Sequence, residues 1–154
     1  MDGIIVRGLI AASLCPSLAG CAAAGDGAGI APTAAALADS RWRVAAVAGE
    51  GGRLSDVPAD LRVDLAFDVA AGSASGSAGC NRYRASASVG EVRLVFGAVA
   101  ASKRMCAQPV GGMAVEARFL AALAAVARAR IDGDRMDLLA DDGAAVLALV
   151  RAAD

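Results

Sequence analysis

From about Ser40 onward, apolar residues fall at every second position in short runs broken by Gly, Asp and Ser. That period belongs to half-buried strands, so the pattern predicts an antiparallel β domain. Trp42, Val44 and Ala46 share one face of a first strand, which Gly49-Glu50-Gly51-Gly52 stops. Leu61, Val63, Leu65, Phe67 and Val69 give the cleanest alternation, with Arg62, Asp64 and Asp68 on the wet face. The Gly/Ser/Ala stretch from Gly72 to Gly79 reads as a mobile connection, followed by a strand carrying Tyr83. Val92, Leu94 and Phe96 predict another strand after a turn at Gly90, and two final strands lie around Arg135 to Leu139 and Ala144 to Val150. Asp141-Asp142-Gly143 between those two suits a tight hairpin. Only Met113 to Arg130 has helical spacing: Phe119, Leu120, Leu123 and Val126 form one stripe, with Glu116, Arg118 and Arg128 mostly off it. The expected fold is α+β, a small, mostly antiparallel, curved and barrel-like sheet with one helix packed on it.

The region before Ser40 has a different pattern. Arg7, an apolar run from Gly8 to Leu14, and Leu18-Ala19-Gly20-Cys21 read as a secretory signal. Leu-Ala-Gly-Cys resembles the bacterial lipobox, which makes residues 1–20 a lipoprotein signal peptide and Cys21 the lipidated first residue of the mature protein. The apolar run is shorter than the roughly 20 residues that cross a bilayer as a helix. By resemblance to enterobacterial sorting rules, Ala22 in place of aspartate after the cysteine implies the outer membrane, facing the periplasm. Residues 21–39 are rich in Ala, Gly, Pro and Thr and are expected to form a flexible tether, leaving residues 40–154 for the domain. Gly25, Gly27 and Gly29 lack the preceding strand that a dinucleotide loop needs. The short alanine run at Ala34 to Ala38 is compatible with one helical turn.

Composition narrows the chemistry. The chain has 154 residues, 57 % of them hydrophobic but only 3 % aromatic, and about a quarter are alanine. One modest core is the limit. With 15 basic and 16 acidic residues the net charge is −1, which disfavours nucleic acid as a partner. Histidine is absent, which removes Ser-His-Asp and Cys-His catalysis and His-liganded metal centres. No cofactor, metal or catalytic residue is expected. Ser102 beside Lys103 suggests a dyad, but strand neighbours point to opposite faces. Asp132, Asp134 and Asp137 around Gly133 lack the terminal Glu of a calcium loop and read as turn residues. Arg82, Arg84, Arg93 and Arg104 read as a solvated basic face.

Trp42, the block Gly79-Cys80-Asn81-Arg82-Tyr83, the block Ser102-Lys103-Arg104-Met105-Cys106, the helix from Met113 and a terminal hairpin occur in an order that resembles the META-domain, HslJ-like proteins. The resemblance covers about residues 41 to 151, with Ser102 where the family carries threonine. It implies a small β domain with one helix, exported or lipid-anchored, associated in some bacteria with heat shock and antibiotic tolerance. In an oxidising compartment Cys80 and Cys106 are expected to pair, closing a loop that removes about 3.5 kcal/mol of unfolded-chain entropy. A redox-active pair is the sharper alternative, although neither thiol lies in a Cys-x-x-Cys motif. The sole Asn, Gln and Tyr cluster in these blocks. Asn81, Arg82, Tyr83 and Gln108 are therefore the expected surface for an envelope protein partner, unless they merely shape the bends. The function expected is a non-enzymatic envelope lipoprotein that binds or scaffolds; the alternatives are a periplasmic thiol-disulfide enzyme using Cys80 and Cys106, or a protease-inhibitor-like module.

Overall fold

Nine antiparallel strands form one curled, half-barrel sheet around the apolar faces that the alternation marked. The computed structural model describes residues 30–107 and 109–153. In chain order the elements are α1 (Ala34–Leu37), β1 (Arg41–Ala48), β2 (Leu54–Asp56), β3 (Asp64–Asp68), β4 (Ser73–Ser77), β5 (Arg82–Val89), β6 (Leu94–Ala101), α2 (Gly112–Ala125), β7 (Arg128–Asp132), β8 (Arg135–Leu139) and β9 (Ala145–Arg151). The sheet order is β6-β5-β4-β3-β1-β9-β8-β7, with β2 paired to β1. Its two edges approach at one end, where Leu94 N donates to Ala127 O at 3.1 Å. Helix α2 packs against β1, β6 and β9 on the inner face.

The core follows the predicted faces closely. Trp42, Val44, Leu65, Leu94, Phe119, Leu123, Met136, Leu138, Leu147 and Leu149 are buried. A register shift between Val44 and Ala46 turns both Ala46 and Val47 inward, the re-aiming that a bulge produces. Trp42 Nε1 donates to Ser40 Oγ at 2.9 Å, and Ser40 Oγ donates to Leu37 O at 2.7 Å. Leu37 is itself fully buried, and Ile30 pairs with Ile131, so the expected tether is fastened to the domain at these two points although most of residues 30–39 are exposed. Thr33 caps the single turn of α1.

Four local expectations are corrected. The Gly72 to Gly79 stretch is not a connection: it contains β4, an interior strand of the sheet between β3 and β5. Its small residues fit a crowded place, because a Cβ on Gly76 would lie 2.1 Å from Asp64 O. The helix stops at Ala125 instead of reaching Arg130, and residues Arg128–Asp132 form β7. Alanine there serves both readings, and the edge of β8 offers pairing that a longer helix would forfeit. Val92 lies before its predicted strand and is 68 % exposed, while Leu94 and Phe96 point inward as expected. Glu116, placed mostly off the helix stripe by its polarity, is buried. The Asp141-Asp142-Gly143 hairpin is as predicted, with Gly143 at φ 87° and Ala144 N donating to Asp142 Oδ1.

Candidate functional site

The two cysteine blocks meet at one corner of the sheet. Residues 78–82 turn the chain from β4 into β5; the segment after β6 crosses beside them; the first turns of α2 close the corner from within. Gly79 makes the bend at φ 113°, and a Cβ there would press on Leu61 Cδ1 at 3.2 Å. Cys80 and Cys106 form a disulfide with Cα atoms 5.9 Å apart. Both halves of the pair are half-buried.

Asn81 is the hub. It is only 2 % exposed, and its side chain makes every bond an amide has capacity for. Oδ1 accepts from Ser102 Oγ at 2.8 Å and Arg104 N at 2.7 Å. Nδ2 donates to Arg104 O at 3.2 Å and Glu116 Oε1 at 2.7 Å. Glu116 Oε2 accepts from Asn81 N at 2.7 Å and Cys80 N at 3.2 Å. One carboxyl group on α2 thus satisfies two backbone donors at the bend and one side-chain donor. Among the described residues no buried side-chain nitrogen or oxygen lacks a partner.

Tyr83 extends the corner into the core. Its ring meets Phe119 edge-on at 5.2 Å, and its hydroxyl donates to Asp64 O at 3.0 Å. Burial drives its phenol well above the ordinary tyrosine range, and the Asp64 carboxylate pushes the same way. Beside the hub, a groove of about 360 Å³ runs between the end of β6 and α2, with Met113, Leu120 and Val99 in its walls. Met105 stands at its rim, 91 % exposed.

Asn81 and Tyr83 are therefore not part of an outward surface; they shape the bend and the core, the other reading the sequence offered for them. Bend geometry and core packing consume the very groups that were to meet a partner. Arg82 is exposed, while Cys21 and Gln108 lie outside the described residues. The four arginines read as a solvated face are all exposed but are not one cluster: Arg82 and Arg84 share the outer side of β5, Arg93 reaches Asp141 at 3.6 Å, and Arg104 lies between β6 and Cys106. Asp134 and Asp137 pair with Arg151 and Arg130 at the β7–β8 hairpin. Among the described residues, no group of three or more His, Cys, Asp or Glu is placed to hold a metal, and no helix is long and apolar enough to cross a membrane.

The blocks that Asn81 joins are those that carried the family resemblance, and the META domain model matches residues 35–154. The chain belongs to the META domain family. A protein from Burkholderia xenovorans solved by NMR is similar at 23 % identity and a TM-score of 0.65, over 97 % of this chain and 100 % of that one. A second NMR structure is similar at 20 % identity and a TM-score of 0.60, over 77 % of this chain and 94 % of the other. At these identities the likeness shows the fold alone. No curated protein matches the chain.

In this META domain the residue that sequence reasoning missed is Glu116. Its spacing carried the signal: it lies three residues before Phe119 and seven before Leu123, on the inward side of the helix. A charged residue on an apolar face needs a buried donor, and the donors are the bend's own amides.

Proposed function

We propose that this META domain is a non-enzymatic binding or scaffolding module of the bacterial cell envelope, lipid-anchored through Cys21 and engaged in tolerance of heat or antibiotic stress. The observation that carries the non-enzymatic part is the occupancy of the corner. The Asn81 amide, the Glu116 carboxyl and the Ser102 hydroxyl, which would be its reactive or polarising groups, are all spent on holding the bend to the β6–α2 segment. The Leu18-Ala19-Gly20-Cys21 sequence and the resemblance to exported relatives support the address. The disulfide is in keeping with it, because such bonds persist in oxidising compartments.

The deciding experiment has two readings on one preparation. Metabolic labelling with a palmitate analogue in a bacterial host is expected to mark the protein and to vanish with Cys21→Ser; undiminished label in that variant ends the anchoring claim. Equilibration of the purified protein in glutathione redox buffers is expected to leave Cys80 and Cys106 joined, as a structural bond requires. Ready exchange near the compartment's own potential would instead make this a thiol-disulfide enzyme.

A further inference from the structure

The outer face of the sheet carries a charge pattern that neither the fold nor the corner requires. Register places Arg41 of β1 opposite Ala66 of β3, Ala66 opposite Ser75 of β4, and Arg43 opposite Asp64. On β5, Arg82 lies opposite Ser77. Arginines therefore flank a lane of small residues. Strands β1 and β5 are three spacings apart, about 14 Å at roughly 4.8 Å per strand. Yet Arg41 and Arg82 line one cleft of about 110 Å³ together with Arg62, with Ala66, Ser75 and Gly76 also in its lining. The cleft continues into a second of about 320 Å³ that adds Arg43 and Asp60.

Three arginines lining one small cleft repel one another, and an anion between them would offset that repulsion. Asp64 is the only acidic residue lining the smaller cleft, and it answers only one of the three arginines. Its Oδ2 accepts from Arg62 Nε at 2.6 Å and its Oδ1 from Ser77 N at 2.9 Å. The Arg62 bond runs through Nε, which leaves the two terminal amino groups of that fork unbonded among the described residues. The side chains of Arg41 and Arg82 make no hydrogen bond or ion pair among the described residues. A chain with a net charge of −1 thus gathers four arginines against two aspartates along one groove.

We propose that this groove binds a phosphoryl group, seated between Arg41, Arg62 and Arg82 above the Ala66–Ser75 floor. A carboxylate has two oxygens and is satisfied by one guanidinium fork; a terminal phosphoryl group has three and accepts from three forks at once. The room also fits, since a water takes about 30 Å³ of liquid volume and the smaller cleft holds a few atoms of that size. The small side chains keep the floor low enough for the ligand to sit between the arginines. The phosphoryl group can come from a lipid headgroup or from a soluble phosphate, and the inference does not depend on the anchor at Cys21.

The test uses the isotopically labelled full chain carrying Cys21→Ser, so that no lipid contributes to binding. Titration with sodium phosphate is expected to shift the amides of Ser75, Gly76 and Arg82 saturably, and sodium chloride at equal ionic strength is not. Arg41→Gln and Arg82→Gln are each expected to weaken binding by at least about tenfold, whereas Arg53→Gln, on an exposed loop elsewhere, leaves it unchanged. These exposed substitutions are checked for an unaltered fold from the remainder of the same spectra. Sedimentation with phosphatidic acid vesicles, whose headgroup is a terminal phosphoryl group, against phosphatidylglycerol vesicles as the anionic phosphodiester control, separates the sources. Retention that free phosphate competes away and Arg41→Gln abolishes assigns the groove to a lipid headgroup. Saturable phosphate binding without retention assigns it to a soluble ligand. Equal shifts in chloride, or equal weakening by Arg53→Gln, would overturn the proposal.

Discussion

The corner around Asn81 and the hairpins at the other end of the sheet are built from the same kinds of polar group, yet they hold the chain in different ways. At the corner, the amide, the hydroxyl and the carboxyl of Asn81, Ser102 and Glu116 tie together segments more than 20 residues apart, beneath a disulfide. At the β7–β8–β9 end, Asp141 faces Arg93 and Arg128 at 3.6 and 3.5 Å with its side chain 76 % exposed. In water such a pair gains little, because each ion exchanges good hydration for a screened attraction. At the buried corner the alternative to a bond is a donor with no partner at all. The hairpins are held by their apolar faces instead: Met136, Leu138, Leu147 and Leu149 are all buried.

The sharpest test of this contrast removes the carboxyl from the corner. Glu116→Ala strips the acceptor from Cys80 N, Asn81 N and Asn81 Nδ2, and is expected to cost about 3 kcal/mol in urea unfolding. A cycle with Asn81→Ala should show the two losses far from additive, because the pair shares one network. Additive losses would mean that the corner is a set of independent contacts, like the hairpin ion pairs.

A smaller effect is expected from Tyr83. Its folded phenol keeps its proton well above the ordinary range, whereas the unfolded chain releases it at about pH 10. Above that pH the native state holds the extra proton, so stability falls as pH rises, by about 1.4 kcal/mol per pH unit. Below it the contribution is fully present and flat. Denaturant midpoints across this range should trace the fall, and Tyr83→Phe should remove it; an unchanged slope in the variant would place the titrating group elsewhere.

The smallest effect is expected at the exposed end. Asp141→Ala breaks both ion pairs but spares the bond from Arg128 to the Asp141 carbonyl, and should change stability by less than about 0.5 kcal/mol. A loss comparable to that of Glu116→Ala would erase the contrast between the two regions.

Most of the inward faces were legible in the chain, because alternation is a local property that the pleat converts directly into burial. Leu61, Val63, Leu65 and Phe67 are buried as their spacing required, although the strand itself begins only at Asp64. The site was legible in part. The disulfide partners follow from the resemblance and the expected compartment, and the clustering of Asn81 with Ser102 and Cys106 was visible as two blocks. Their orientation was not, because Asn81 reads as polar wherever it stands and only the surrounding donors and acceptors decide whether it faces water.

The β alternation, the helix α2, the β8–β9 hairpin and the two blocks that mark a META domain are all local patterns that can be read along the chain. Other features depend on the packing of distant segments, and the folded sheet set each of them. It made the Gly/Ser/Ala stretch an interior strand, because small residues have weak preferences of their own and adopt the pairing that β3 and β5 offer on either side. It ended α2 at Ala125, because β8 supplies an edge for Arg128–Asp132. And it buried Glu116, because the amides that satisfy its oxygens lie about 35 residues earlier in the chain and reach it only when the sheet curls around the helix.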